Sequence, residues 1–220
     1  IPLNRPSKRQ ILPMQFFVDT DAKYRSIIAD TKMRHNLGQP VLIGTRTIQQ
    51  SLELSAMLQA DGLTHNVLNG LQDADESAIV AQAGLACAIT VATNMAGRGT
   101  DIKLNQQARQ AGGLHVIVAE PNRSHRVDRQ LLGRCARQGD PGSCQIFVSV
   151  EDELLTTVGP SLSNRIRRHS NSSGIAAING KRDLLVLQRK AEQIDFARRQ
   201  HLMQQELWVE GLLDKMVGTG

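Results

Sequence analysis

The sequence predicts an α/β fold: a doubly wound parallel sheet flanked by helices, followed by a long C-terminal helical segment. Three observations carry this. Short apolar runs rich in β-branched residues, such as Val41-Leu42-Ile43 and Val116-Ile117-Val118, are continuous rather than alternating, as in strands buried on both faces. Helical stretches of about ten residues or more lie between them, and crossovers of that length join parallel strands. After Gly180 the strand pattern stops, and Leu184, Leu187, Ala191 and Ile194 recur at three- and four-residue steps.

The elements follow in order. Ile1 to Pro13 holds three prolines and three basic residues and reads as an extended lead-in. Because it opens on Ile1 rather than methionine, the chain reads as a fragment or a processed product. Met14 to Val18 is a short strand. Asp19, Thr20 or Asp21 caps the next helix, whose inner face carries Tyr24, Ile27, Ile28 and Met33. Val41-Leu42-Ile43 is a strand with Gly44-Thr45 at its carboxyl end. Thr47 caps a helix carrying Ile48, Leu52, Leu54, Ser55 and Leu58. His65 to Gly70 is a strand and turn, Ala74 to Ala83 a helix, and Cys87 to Val91 a strand. Leu114 to Val118 is a strand, Ser124 to Arg137 a helix, and Cys144 to Val150 the last strand. Ser161 to Gly180, rich in Ser, Asn, Arg and Gly, reads as a mobile linker. Lys181 to Met216 reads as one long helix whose narrow apolar stripe needs a partner. The expected division is a domain over 1–158, a linker over 159–180 and a helical segment over 181–220.

Composition narrows the function. With 40% hydrophobic and 3% aromatic residues, the core has to be aliphatic. No run approaches the eighteen or so apolar residues of a spanning helix and no signal peptide is evident, so the expected location is cytoplasmic. The net charge of +5 is uneven: residues 1–40 carry seven Lys/Arg against three Asp/Glu, residues 161–220 ten against six, and the middle nine against twelve. A mildly acidic body with few aromatic residues argues against a nucleic-acid channel. Cys87 and Cys144 sit in or beside apolar runs and are expected to be buried. Cys135 lies among arginines, a setting that can lower a thiol pKa.

Two stretches carry chemistry. The first runs from the strand at Ile89-Thr90-Val91 into Gly97-Arg98-Gly99-Thr100-Asp101. Its glycines let the backbone approach a ligand, and the arginine between them presents a planar, permanently charged fork to phosphate. The second, Gln130-Leu131-Leu132-Gly133-Arg134-Cys135-Ala136-Arg137-Gln138-Gly139, places Gln130, Arg134 and Arg137 on one helical face. Helix and loop are expected to hold these arginines beyond the carboxyl ends of the parallel strands, the usual ligand edge. The alternative is that an arginine braces the domain through Asp101, Asp128 or Asp140. His115, within a strand, reads as a satisfied core histidine.

Together the two stretches resemble motifs V and VI of the superfamily 2 helicase-like ATPases. The runs Ala92 to Leu104 and Arg137 to Gly142, with Gly38 to Thr45, resemble the SecA family of preprotein translocase motors. That resemblance implies a RecA-like second nucleotide-binding domain with part of a helical scaffold. It implies Arg98, Arg134 and Arg137 as catalytic arginines on the γ-phosphate of ATP. Gly97, Gly99, Thr100, Asp101 and Gln130 would be nucleotide-binding. Magnesium would be held mainly by the partner half, the first nucleotide-binding domain. Preprotein and the membrane protein-conducting channel would be partners, and the location cytoplasmic or peripheral at the inner face of the plasma membrane. A homodimer stays open, and no nucleic acid and no metal held by this chain are expected.

The chain contains no Gly-x-x-x-x-Gly-Lys-Ser/Thr and no acidic Walker B pair at a strand end, so ATP turnover is not expected from it alone. It also departs from the family pattern. Val118 to Gln130 replaces Gly-Thr-Glu-Arg-His-Glu-Ser-Arg-Arg-Ile-Asp-Asn-Gln, and Leu132 stands where the family has Arg. Asn105 replaces a glycine, and Cys135-Ala136 replaces Ser-Gly. A divergent SecA-like member is therefore expected. The alternatives are the C-terminal domain of a nucleic-acid helicase, or a non-catalytic RecA-like interaction module.

Overall fold

The structure, a computed structural model, describes residues 6–68, 76–93 and 101–217. Its elements run β1 (Lys8–Ile11), β2 (Gln15–Phe17), α1 (Thr20–Asn36), β3 (Val41–Thr45), α2 (Ile48–Ala60), β4 (Asn66–Leu68), α3 (Glu76–Gln82) and β5 (Ile89–Thr93). They continue with α4 (Gln106–Gln110), β6 (Leu114–Val118), α5 (His125–Leu132), β7 (Pro141–Ser149), α6 (Glu153–Val158), α7 (Pro160–Arg168), β8 (Ile175–Ala176) and α8 (Lys181–Val217).

The eight strands form one sheet in the order β4-β5-β3-β6-β7-β2-β8, with β1 also on β7. Every pairing is parallel except β2 with β8. β7 is long enough to take β1 along its amino half, Lys8 opposite Pro141, and β2 along its carboxyl half, Phe16 opposite Val148. The expected doubly wound α/β sheet with a long C-terminal helix is what forms.

Burial on both faces explains the unbroken apolar runs. On one face Val41, Ile43, Ile89, Val91, Ile117 and Phe147 meet Tyr24, Ile27 and Ile28 of α1 and Leu54 and Leu58 of α2. Phe17 stacks on Phe147 there, with ring centroids 5.9 Å apart. On the other face Leu42, Val116, Val118, Cys144 and Ile146 meet Leu131 and Leu132 of α5, with α6, α7 and the root of α8 beyond. Gly44 allows the close approach of α5, since a Cβ there would lie 2.1 Å from a Leu131 methyl.

The expected caps form: the Asp19 side chain accepts from Ala22 N and that of Thr47 from Gln50 N. Met33 is 50% exposed, because six residues beyond Ile27 is roughly 240° round a helix. Ile48 and Leu52 are likewise exposed, and the buried face of α2 is Ser51, Leu54 and Leu58. Cys87 is exposed, at a positive-φ turn ahead of β5.

The segment read as a linker has structure of its own. Pro160 opens α7, and Leu162 and Ile166, four apart, bury its inner face. Asn171 Oδ1 accepts from Ser173 N and Ile175 N, both at 3.0 Å, to build a turn that delivers β8 to β2. Lys8–Ile11, read as lead-in, is a strand. Among the described residues no helix is long and apolar enough to cross a membrane.

Candidate functional site

α5 and the turn after it carry the arginines. α5 begins beyond the carboxyl end of β6 and runs back against the strands, because the parallel strand β7 must start at the opposite edge. It closes at Leu132, with Gly133 as its cap. Arg134 and Arg137 therefore do not share a helical face. Arg134 sits in the turn, and Arg137 opens a 3-10 turn spanning Arg137–Gly139, just before β7. This corrects two expectations: the helix does not reach Arg137, and these arginines lie at the amino end of β7 rather than beyond the carboxyl ends.

The path of the turn is strained. Ala136 (φ 54°) and Gln138 (φ 53°) are left-handed, with Gly139 at φ 85°. A non-glycine residue held this way costs on the order of 1–3 kcal/mol, and such strain gathers at functional sites. The turn leans directly on β7: a Cβ on Gly142 would lie 2.7 Å from Ala136 N.

Arg137 reaches across to the other motif. Its Nη1 donates to Asp101 Oδ1 at 2.9 Å and its Nε to Gly133 O at 3.1 Å, while Gln138 Nε2 donates to Asp101 Oδ2 at 3.3 Å. Both Asp101 oxygens are thus taken by the second motif, which ties the two motifs together. The other two carboxylates considered for this brace are engaged elsewhere. Asp140 takes Arg109 at 3.0 Å, and Asp128 takes Asn122 and Gln188. Behind Asp101, Ile102 and Leu104 anchor the strand-to-helix connection in the core. Asn105 caps α4 by accepting from Ala108 N, which gives this departure from the family glycine a structural use.

Arg134 lines a small, mostly apolar hollow with Leu42, Leu68, Thr90, Ile102 and Leu131. Burial, and then the charge of Arg137, hold its pKa below the ordinary value. Gln130 is exposed on α5. Gly97, Arg98, Gly99 and Thr100 lie outside the described residues.

The carboxyl edge holds a second network that sequence reasoning missed. Glu120, after β6, forms an ion pair with Arg46, Nε lying 3.2 Å away, and accepts from Gln50 and from Glu153 N. Arg46 also pairs with Glu153. Lys23 and Asp152 form a buried pair, and Asp152 Oδ2 accepts from Ser149 N at 2.8 Å. Burial pushes the Asp152 pKa up to about 7, against the opposing pull of Lys23.

Arg123 extends this network to α8. It forks onto Asp195 at 2.9 and 2.7 Å and touches Glu153 at 3.5 Å. Beside it Ser124 Oγ donates to Glu192 Oε1 at 2.6 Å. Gln188 Nε2 donates to Asn122 O at 2.8 Å and to the buried Asp128 at 2.6 Å. Burial raises the Asp128 pKa despite these donors. A polar seam thus joins the start of α5 to the root of α8. The one available signal was the replacement of a family Glu by Arg123.

A family profile described as the SecA P-loop domain matches residues 6–110 and 104–174. The chain belongs to the SecA family. Among relatives of this SecA-family chain, "Protein translocase subunit SecA 3" of Magnetococcus marinus is 51% identical over 164 residues, covering 74% of this chain and 25% of its own length. "Protein translocase subunit SecA 2" of Chlorobium chlorochromatii is 38% identical, covering 100% of this chain and 34% of its own length. The chain thus spans about a quarter to a third of the relatives it matches. Among solved structures, the E. coli DEAD-box protein SrmB, bound to the regulator RraA, superposes with TM-score 0.53 at 20% identity, over 70% of this chain and 83% of that one. The second helicase domain of Mss116p, bound to an RNA duplex, superposes with TM-score 0.51 at 14% identity, over 71% and 60%. These likenesses establish the RecA-like fold. Among the described residues no cluster of three or more His, Cys, Asp or Glu could hold a metal ion.

Proposed function

We propose that this chain is the second RecA-like half of a SecA-type, ATP-driven protein-translocation motor. A P-loop half, the first nucleotide-binding domain, grips ATP and its magnesium ion, and this half closes on the γ-phosphate with Arg137, Arg134 and Arg98. Preprotein and a membrane protein-conducting channel are the partners that go with this reading. The motor works on the cytoplasmic side, at the membrane surface. The observation that carries it is the tie between Arg137 and Asp101 at 2.9 Å, in a chain of this family. Asp101 and Gly133 O hold the Arg137 guanidinium in place through its Nη1 and Nε donors. A γ-phosphate carrying spread negative charge competes for the same donors, and a guanidinium already fixed in place stabilises that charge with little reorganisation. The half-buried Arg134 supplies a second positive charge at low dielectric, where it acts more strongly.

The test is complementation. The 220-residue chain alone should show no steady ATP turnover, and adding the P-loop half of a SecA relative should restore it. Steady turnover by the chain alone, lost on Arg137→Ala, would refute the division of labour. Failure of the two halves together to exceed the P-loop half alone would refute the motor reading.

A further inference from the structure

Cys135 and Cys144 are both fully buried and lie in the same face of the core. Cys135 Sγ donates to Leu132 O at 3.2 Å, and a Cβ on Gly142, which lies two residues before Cys144 on the same face of β7, would come 3.2 Å from Cys135 Cβ. Arg9 of β1 covers the pair: its Nη2 donates to Cys135 O at 3.2 Å, and its Nε is buried with no hydrogen-bond partner. The charge of Arg9 reaches both thiols, yet their surroundings make the two unequal. The neighbouring Cys144 thiol, helped by the charge of Arg9, holds the Cys135 thiol below its ordinary value against the opposing effect of burial, whereas the Cys135 thiol and burial push Cys144 up against Arg9. Access lies through β1, a short edge strand that is largely exposed and pairs with β7 along Pro141 to Cys144.

We propose that Cys135 and Cys144 are an oxidative modification site, a thiol pair beneath the β1 strap that peroxide converts to a disulfide. The Cys135 thiolate attacks one peroxide oxygen, the O–O bond breaks, and the departing hydroxide takes a proton to become water. The Cys144 sulfur then attacks the resulting sulfenic acid, and the S–O bond breaks to release a second water with the Cys144 proton. Two thiols are oxidised by two electrons and one peroxide is reduced. A disulfide brings its sulfurs to about 2.05 Å, well inside hydrogen-bonding distance. Cys144 is held by ladder partners on both sides, Ile11 and Val116, so the movement falls on Cys135 and the strained turn carrying Arg134 and Arg137. The chemistry is independent of the motor reading.

The test uses the 220-residue chain with Cys87→Ser, to remove the exposed thiol, treated with hydrogen peroxide. The expected product is an intramolecular Cys135–Cys144 link lighter by two hydrogens and reversed by dithiothreitol. Cys144→Ser should stop at a sulfenic acid on Cys135, trapped by dimedone. Arg9→Gln should slow the first step about tenfold, while Arg9→Lys, which keeps the charge, should slow it much less. In the oxidised chain, amide exchange over 133–140 should change. Both thiols staying reduced at a dose that oxidises Cys87 in the parent would overturn the site. An Arg9→Gln rate equal to the parent's would overturn the role of Arg9, and unaltered exchange over 133–140 would overturn the link to the arginine turn.

Discussion

Replacing Arg137 by alanine separates what the residue does for the fold from what it does for chemistry. The Arg137 and Asp101 side chains are 40% and 39% exposed, so their ion pair is well solvated. Pairs of that kind contribute about 0.2–1 kcal/mol. The bond from Arg137 Nε to Gly133 O adds a typical net contribution of about 0.5–1.5 kcal/mol. Arg137→Ala should therefore destabilise the chain by about 1–2 kcal/mol. For a domain of this size each kcal/mol moves Tm by roughly 2–4 °C, which thermal unfolding resolves easily. If Arg137 is a finger on the γ-phosphate, its loss should cut turnover with the P-loop half supplied by about 10³–10⁵, or about 4–7 kcal/mol. ATP affinity should move only a few-fold, because the charge it meets develops largely in the transition state. Asp101→Ala is the control: it removes the same ion pair but leaves the guanidinium, so its cost to turnover should be far smaller. Arg137→Ala turning over ATP at near the parental rate would refute the finger. A loss no larger than that of Asp101→Ala would reduce Arg137 to a brace.

Three further outcomes are expected. Gly142→Ala should cost about 1–3 kcal/mol in urea unfolding, since its Cβ would press on Ala136 N, Leu114 O and Cys135 Cβ at 2.7–3.2 Å; an unchanged midpoint would contradict that packing. His115 lies 2.7 Å from Ser143 Oγ and 3.1 Å from Asp30, and burial holds its pKa below 6.5. The unfolded chain therefore binds the proton better, so stability is full above pH 6.5 and falls as pH drops below it; His115→Gln should flatten that slope, and an unflattened one would count against the assignment. Arg123→Glu should make the root of α8 protease-sensitive by placing a carboxylate against Asp195 and Glu153, and Asp195→Arg in the same chain should restore resistance. Failure of the swap to rescue would show that the seam does not depend on that pair.

Most of the sheet was legible because its strands announce themselves. Val41 to Ile43 and Val116 to Val118 are apolar without a break, and two-faced burial demands that. What hid was structure whose stability comes from partners. Lys8–Ile11 has no apolar pattern, because it is an edge strand held by the β7 ladder. α7 is polar overall, and only Leu162 and Ile166 betray its buried side. At the site, sequence spacing put Arg134 and Arg137 on one helix, and no local propensity gave warning of left-handed Ala136 and Gln138. That turn is imposed by the need to enter β7 at Gly142. The contact of Arg137 with Asp101 joins residues 36 apart, and the seam from Arg123 to Asp195 joins residues 72 apart. Pairings at such range are fixed by the fold, not by the neighbouring chain.

α8 runs for 37 residues, roughly 55 Å at 1.5 Å per residue, yet only its root is embedded. Leu184, Leu187, Gln188 and Ala191 are buried, while Ile194, Phe196, Leu202, Met203 and Trp208 are about half exposed or more. From Asp195 to Val217 the helix extends roughly 33 Å further. Such a rod is a lever with its fulcrum at the start of α5. A tilt of about 5° where Gln188 meets Asp128 would sweep the far end through roughly 4 Å, at nearly constant shape because the hydrogen bonds within a helix resist bending. Small adjustments at the start of α5 would thus be magnified at a distance, in the direction set by how Arg123 grips the shaft.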